Sequence, residues 1–271
     1  MAEKKILITG STDGIGRQTA HNLASKEYQV IVHGRRKDSV EGTINNLKEK
    51  TGNQNIFGYV ADFESLQEVK ELAEKISEEH PDLDILLNNA GIMQNRKEFT
   101  EDGFEKTFGV NYLAPFLLTR LLVPVLSRPG VDTRIINVSS MIHASSIDFE
   151  NLQGEKSFDS SEAYGLSKLC NILFTYKLAR EYSKEDLVTH CLHPGVINTK
   201  LLRKNFGNIG NPVEEGASNL EHAATSEKLM NITGKYFRDQ REQSSASISY
   251  DHEIQDKLWK ISNKMVQPFL K

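Results

Sequence analysis

KKILITGSTDGIGRQTAHNLASKE, residues 4–27, carries the decisive reading of this chain. A β-prone apolar run, KKILITG (4–10), passes through a glycine-rich turn, TGSTDGIG (9–16), into a helix-period segment over 15–27. The start of a helix offers unpaired N–H groups and the positive end of its dipole to an anion. Glycine is needed there because the backbone must bend sharply and come close to the bound group. The turn therefore reads as a cradle for the pyrophosphate of a dinucleotide, with Gly10, Ser11, Asp13, Gly14, Ile15 and Gly16 as candidate contacts.

Working outward, five more β-rich runs follow: YQVIVHGR (28–35), NIFGYVAD (55–62), LDILLNNAG (83–91), TRIINVSS (133–140) and LVTHCLHPG (187–195). Their apolar residues are nearly continuous, as in strands buried on both faces of a parallel sheet. Between them lie segments with apolar residues at three and four, over 15–27, 39–50, 65–80 and 104–126. Alternation of this kind predicts an α/β fold: a doubly wound parallel sheet of the Rossmann type, a single domain over 1–271 with helices on both faces. Residues 145–163 lack a period and read as a polar loop; 197–215 read as a mobile substrate segment beside the site. Near the end, Ile254, Leu258, Trp259 and Ile261 recur at helical spacing and read as core packing.

The chain has 271 residues, 38% hydrophobic and 26% charged, which supports a buried core and argues against disorder. A net charge of −4 without a basic cluster leaves no footprint for nucleic acid. Two cysteines, Cys170 and Cys191, form neither a disulfide framework nor a structural zinc site, and read as buried thiols; no metal is expected. No uninterrupted run of about 18 apolar residues occurs, and the N-terminus runs straight into the first strand, so a cytoplasmic protein without a membrane anchor is expected.

The second strand ends in HGRRKD, with Arg35 and Arg36 where an acid would bind a ribose 2′-hydroxyl. Arginine grips a 2′-phosphate bidentately, which favours NADP(H) over NAD(H). Asp62, ending the third strand, is placed either against the adenine amine or as a cap for the helix after it. Asn89, Ala90 and Gly91 end the fourth strand in the same crevice.

In AYGLSK, Tyr164 and Lys168 share one helix face. A free phenol has a pKa of about 10, and a nearby ammonium favours its anion, so the lysine can tune the tyrosine for proton transfer. Tyr164 is the only one of eight tyrosines with a lysine four residues on. Ser140, ending the fifth strand, could polarise a carbonyl oxygen, with Ser139 as its competitor. Asn111, within a helix, could hold a water near Lys168 or be a structural brace. Phe149, Leu152, Leu201, Leu202 and Phe206 could line an apolar substrate pocket.

Taken in order, TGSTDGIG, Asp62, NNAG, Asn111, NVSS, YGLSK and HPGVINT resemble the short-chain dehydrogenase/reductase superfamily over nearly the whole chain. SSMIHA, SKLCNILFTYKLA and GKYFRD are similar to the retinol-dehydrogenase-like and protochlorophyllide-reductase-like members. That resemblance implies a catalytic set of Asn111, Ser140, Tyr164 and Lys168, with Tyr164 and Lys168 also contacting the cofactor and Lys168 holding its ribose, and a nicotinamide-covering segment with Pro194, Gly195 and Thr199. It implies hydride transfer between NADP(H) and a small carbonyl or alcohol, with enone reduction or a non-catalytic nucleotide-binding regulator as the alternatives. Monomer and homo-oligomer both stay open. Asp13 departs from the pattern, since many NADP-preferring relatives carry a base there.

Overall fold

The computed structural model describes residues 4–270. Eight strands form one sheet: β1 (Lys5–Ile8), β2 (Gln29–Gly34), β3 (Ile56–Val60), β4 (Ile85–Asn88), β5 (Arg134–Val138), β6 (Val188–His193), β7 (Lys235–Arg238) and β8 (Arg241–Gln243). Their order across the sheet is β3-β2-β1-β4-β5-β6-β7-β8. All pairings are parallel except that of β7 with β8. The chain runs outward from β1 to β3, then returns to place β4 on the other side of β1. This reversal opens a crevice beyond the carboxyl ends of the strands.

The six expected strands are present, and β7 and β8 are additional. KYFR, residues 235–238, has only two buried residues, Tyr236 and Phe237, between charged ends. REQ, residues 241–243, is exposed throughout. Neither offers an apolar run; pairing of Tyr236 with Cys191 and of Phe237 with Leu192 makes β7 a strand.

The helices are α1 (Gly14–Ala24), α2 (Lys37–Thr51), α3 (Leu66–Glu79), α4 (Lys106–Phe108), α5 (Ala114–Leu126), α6 (Ser160–Glu181), α7 (Lys200–Phe206), α8 (Val213–Thr225) and α9 (His252–Val266). Ile6 and Ile8 of β1 face a core shared with α1, α2 and α8, while Leu7 faces the core of α3, α5, α6 and α9. Alternate residues of one strand thus enter two different cores, which is why the runs lack a polar face. Leu258 lies in the second of these cores, with Ile254, Trp259 and Ile261 packed against it, as the helical stripe implied.

Segment 104–126 departs from the single helix expected. α4 gives way to a π turn, Gly109–Leu113, before α5 begins. Residues Lys106–Leu126 are long and apolar enough to cross a bilayer, although Arg120 interrupts their apolar run; 78% of their most apolar stretch is buried within the protein. Phe116, Leu117, Leu118 and Leu122 belong to the core.

Two boundaries also shift. α6 begins at Ser160, because Asp159 accepts hydrogen bonds from the Ser161 and Glu162 N–H groups; the loop before it is correspondingly shorter than 145–163. Residues 197–215 carry all of α7 and the start of α8, with Thr199 capping α7. Cys170 and Cys191 are buried and unpaired.

Candidate active site

A cleft of about 550 Å³ follows the carboxyl ends of the strands. One end is built by the glycine-rich turn. Gly10 has φ +64°, and a Cβ there would lie 2.9 Å from the Ala90 Cα. A Cβ on Gly16 would lie 2.5 Å from the Gly10 carbonyl oxygen. The first glycine lets the turn reach β4, and the third lets α1 close onto the turn. Gly14, at φ +54°, borders the open cleft, together with Asp13, Ile15 and Gly16. The first N–H groups of α1 have no acceptor within the helix, so this turn fits a phosphate group. Asp13 caps α1 by accepting from the Gly14 N–H at 2.9 Å.

Ser11 turns away from the cleft. Its buried hydroxyl donates to the Ile8 carbonyl at 2.8 Å and accepts from the His33 N–H at 3.0 Å. It braces the turn against β2, while Thr12 takes its place in the lining. His33, not singled out in the sequence, is the second brace. Its Nδ1 accepts from the Gly10 N–H at 3.2 Å, which leaves Nε2 as donor to the Ala61 carbonyl at 3.0 Å. Burial pushes its pKa down to about 4, so the neutral ring this pattern requires persists across the physiological range. Strand alternation offered a clue: His33 is the penultimate residue of β2, at the crevice end.

Arg35, Asp62 and Phe63 line the cleft beyond the ends of β2 and β3. Arg35 is 66% exposed and lies 3.7 Å from the Glu64 carboxylate. Arg36 lies outside the lining and donates to Ser39 at 2.9 Å. Arg17 is likewise directed elsewhere, to Asn46. Asp62 accepts from the Glu64 N–H at 3.0 Å and borders the cleft, whereas Ser65 caps α3.

Asn89 donates to the Thr9 and Gly10 carbonyls, and Thr9 Oγ1 accepts from the Asn89 and Ala90 N–H groups. These bonds fix Asn89, Ala90 and Gly91 along the cleft wall. Pro194, Gly195 and Thr199 line the opposite wall after β6, with Gly195 at φ +106°. His193, beside them, is buried, and its Nδ1 has no hydrogen-bond partner among the described residues.

At the other end Ser140, Tyr164 and Lys168 converge. The competitor Ser139 is committed elsewhere, its hydroxyl donating to the Lys168 carbonyl at 2.8 Å. Lys168 Nζ donates to the Val138 carbonyl at 3.0 Å and lies 5.5 Å from the centre of the Tyr164 ring. Asn111 stands behind this group rather than in the lining. Its Oδ1 accepts from the Ile92 N–H at 2.7 Å; its Nδ2 donates to the Ile92 carbonyl and to Ser167 Oγ. Its own carbonyl accepts from Asn171 Nδ2 at 3.1 Å. Its side chain thus ties the Ile92 backbone, just beyond β4, to Ser167 of α6.

Burial pushes the Tyr164 phenol up to about 12, and Ser140 draws it back only in part. Burial pushes Lys168 down to about 8. Burial, which disfavours the phenolate, is thus the largest influence on Tyr164, with the Ser140 hydrogen bond acting against it. The Lys168 shift has a consequence for stability. Its folded pKa lies below the unfolded value of 10.5, so between pH 8 and 10.5 the unfolded chain binds more protons and stability rises with pH. Urea unfolding across this window should show wild type gaining on the order of 3 kcal/mol relative to Lys168→Met. Parallel curves for the two proteins would contradict a buried, depressed Lys168.

Leu201, Leu202 and Phe206 line the cleft, as the apolar reading anticipated. Leu152 instead lies in the core and borders a separate cavity under the 145–159 loop, and Phe149 packs beneath Lys257. Among the described residues no group of His, Cys, Asp or Glu is arranged to hold a metal.

Residues 4–209 match the short chain dehydrogenase family. The chain belongs to the short-chain dehydrogenases. Within that family its likeness is to the retinol dehydrogenases. It is 36% identical to retinol dehydrogenase 13 of Mus musculus over 97% of this chain and 84% of that protein. It is 32% identical to polyprenol dehydrogenase of Homo sapiens over 97% and 85%. A solved structure of an uncharacterized protein from Mycobacterium Paratuberculosis superposes with a TM-score of 0.80, at 28% identity, over 98% of this short-chain dehydrogenase and 94% of that chain. The family assignment makes this chain an oxidoreductase on a fold that binds a nicotinamide cofactor.

Proposed function

We propose that this short-chain dehydrogenase interconverts an alcohol and a carbonyl compound with NADP(H), Tyr164 acting as proton donor and acceptor. The observation that carries the reading is the meeting of Tyr164, Ser140 and Lys168 at one end of a cleft whose other end is the glycine-rich turn. Bound there, the cofactor supplies or accepts the hydride. In reduction Tyr164 gives its proton to the carbonyl oxygen, and Ser140 steadies the charge building on that oxygen. Lys168, still largely an ammonium at neutral pH, lowers the cost of the phenolate left behind. In oxidation the phenolate takes the proton back.

The substrate reading is an isoprenoid alcohol or its aldehyde. Two features support it: the apolar side chains of Leu201, Leu202 and Phe206 along the cleft, and relatives named for retinol and polyprenol. Arg35 supports NADP(H) over NAD(H), since it is the one guanidinium of the Arg35–Arg36 pair that borders the cleft.

Titration with NADPH and NADH, followed by nicotinamide fluorescence, tests the cofactor reading. NADPH should bind more tightly, and Arg35→Ala should weaken NADPH by about tenfold while barely changing NADH. Arg36→Ala should change neither by more than about twofold. Equal affinities in wild type would overturn the assignment of NADP(H). Product analysis with retinal-type aldehydes should give the alcohol; an intact aldehyde would remove that substrate class.

A further inference from the structure

The glycine-rich turn contains an electrostatic contradiction. Asp13 places a carboxylate at the mouth of α1, where the helix N-terminus is suited to phosphate. An acid there stabilises α1 as a cap but repels a pyrophosphate. The cation that answers it comes from across the cleft. Lys200 Nζ lies 2.6 Å from Asp13 Oδ2, and both residues border the cleft.

Lys200 opens α7, none of whose residues is buried. The segment from Val196 to Gly210 carries Lys200, Arg203 and Lys204 and no carboxylate. Its neighbour Thr199 lies beside the turn: a Cβ on Gly14 would lie 3.5 Å from Thr199 Cγ2. One ion pair thus joins the phosphate-binding turn to the segment that carries Leu201, Leu202 and Phe206. Burial raises the Asp13 carboxyl, but Lys200, the Gly14 N–H and Arg17 more than reverse this and hold it below its ordinary value.

We propose that Lys200 is a cofactor-positioning residue: it neutralises Asp13 at the mouth of α1 and so couples docking of the α7 segment to dinucleotide binding. The inference rests on the cofactor reading given above. The pair is exposed, at 78% for Lys200 and 54% for Asp13, so water screens it and the clasp alone is weak and reversible. A dinucleotide in the cleft displaces that water and strengthens the pair. The segment closes over the cofactor and, in the same step, brings its leucines to the substrate.

Two measurements test this. In NADPH titrations by nicotinamide fluorescence, Lys200→Met should weaken binding by about three- to tenfold. Asp13→Asn, which keeps the cap, should bind at least as tightly as wild type. Asp13→Asn combined with Lys200→Met should return to within about twofold of wild type. An unchanged Lys200→Met, or a double variant as weak as Lys200→Met, would overturn the proposal. The second measurement needs no cofactor. Trypsin cleavage after Arg203 and Lys204, followed by mass spectrometry, should be faster in both single variants than in wild type; equal rates would show that the clasp does not hold the segment. Wild type that binds neither nucleotide would instead sink the cofactor reading, leaving the proteolysis result to decide the clasp.

Discussion

Tyr164→Phe is expected to lower turnover by about 10²–10⁴ while leaving NADPH affinity within a few-fold of wild type. The variant removes one oxygen from a residue that is already packed within α6, so the fold and the cleft keep their shape. What is lost is the proton delivered to the substrate oxygen. Ser140 cannot supply it, since a serine hydroxyl is a far weaker acid, and Lys168 is held by the Val138 carbonyl. Steady-state assay with the best carbonyl substrate, beside fluorescence titration with NADPH, checks both halves. Undiminished turnover would remove Tyr164 from proton transfer; lost NADPH binding would make the residue a cofactor ligand instead.

Gly16→Ala is expected to carry the largest effect away from the proton-transfer group. Its methyl would enter space held by the Gly10 carbonyl and by Asn89 Nδ2, each 2.5 Å away. Neither can give way freely. The Gly10 carbonyl is backbone, and Asn89 donates to it and to the Thr9 carbonyl at 3.2 and 2.9 Å. Overpacking of this kind costs about 1–3 kcal/mol, and the displaced turn should lose roughly 10–100-fold in NADPH affinity. The melting temperature should fall by about 2–10 °C. Fluorescence titration and thermal unfolding check the two outcomes. Wild-type affinity in this variant would mean that the turn does not depend on close approach of α1.

The layout of the cleft was readable because its markers sit where the chain changes element. Gly10, Gly14 and Gly16 close β1 and open α1; Ser140 ends β5; Tyr164 and Lys168 share a helix face. Local pattern is enough for residues of this kind. The features that escaped depend on partners distant in sequence. Nothing in HGRRKD tells that Arg35 borders the cleft while Arg36 turns to Ser39. His33 becomes a brace only when Gly10 and Ala61 are brought to either side of its ring. Lys200 and Asp13 are separated by most of the domain. The helical spacing pairs Tyr164 with Lys168, but it does not show how deeply the phenol is buried, which raises its pKa. Strands β7 and β8 went unseen for the same reason, since their conformation comes from pairing and not from their own apolar content.

The last strand, β8, matters for how molecules meet one another. A sheet that ended in β7 would present a parallel strand with buried aromatic side chains, Tyr236 and Phe237, and open backbone groups along its length. Such an edge is a template for a strand from a second molecule. β8 covers it with three exposed residues, Arg241, Glu242 and Gln243. Further growth would have to cover an arginine and a glutamate at once, and the strand is too short to guide a long partner. The hairpin thus replaces a longer edge flanked by aromatic side chains with a short, charged one, a poorer template for edge-to-edge pairing.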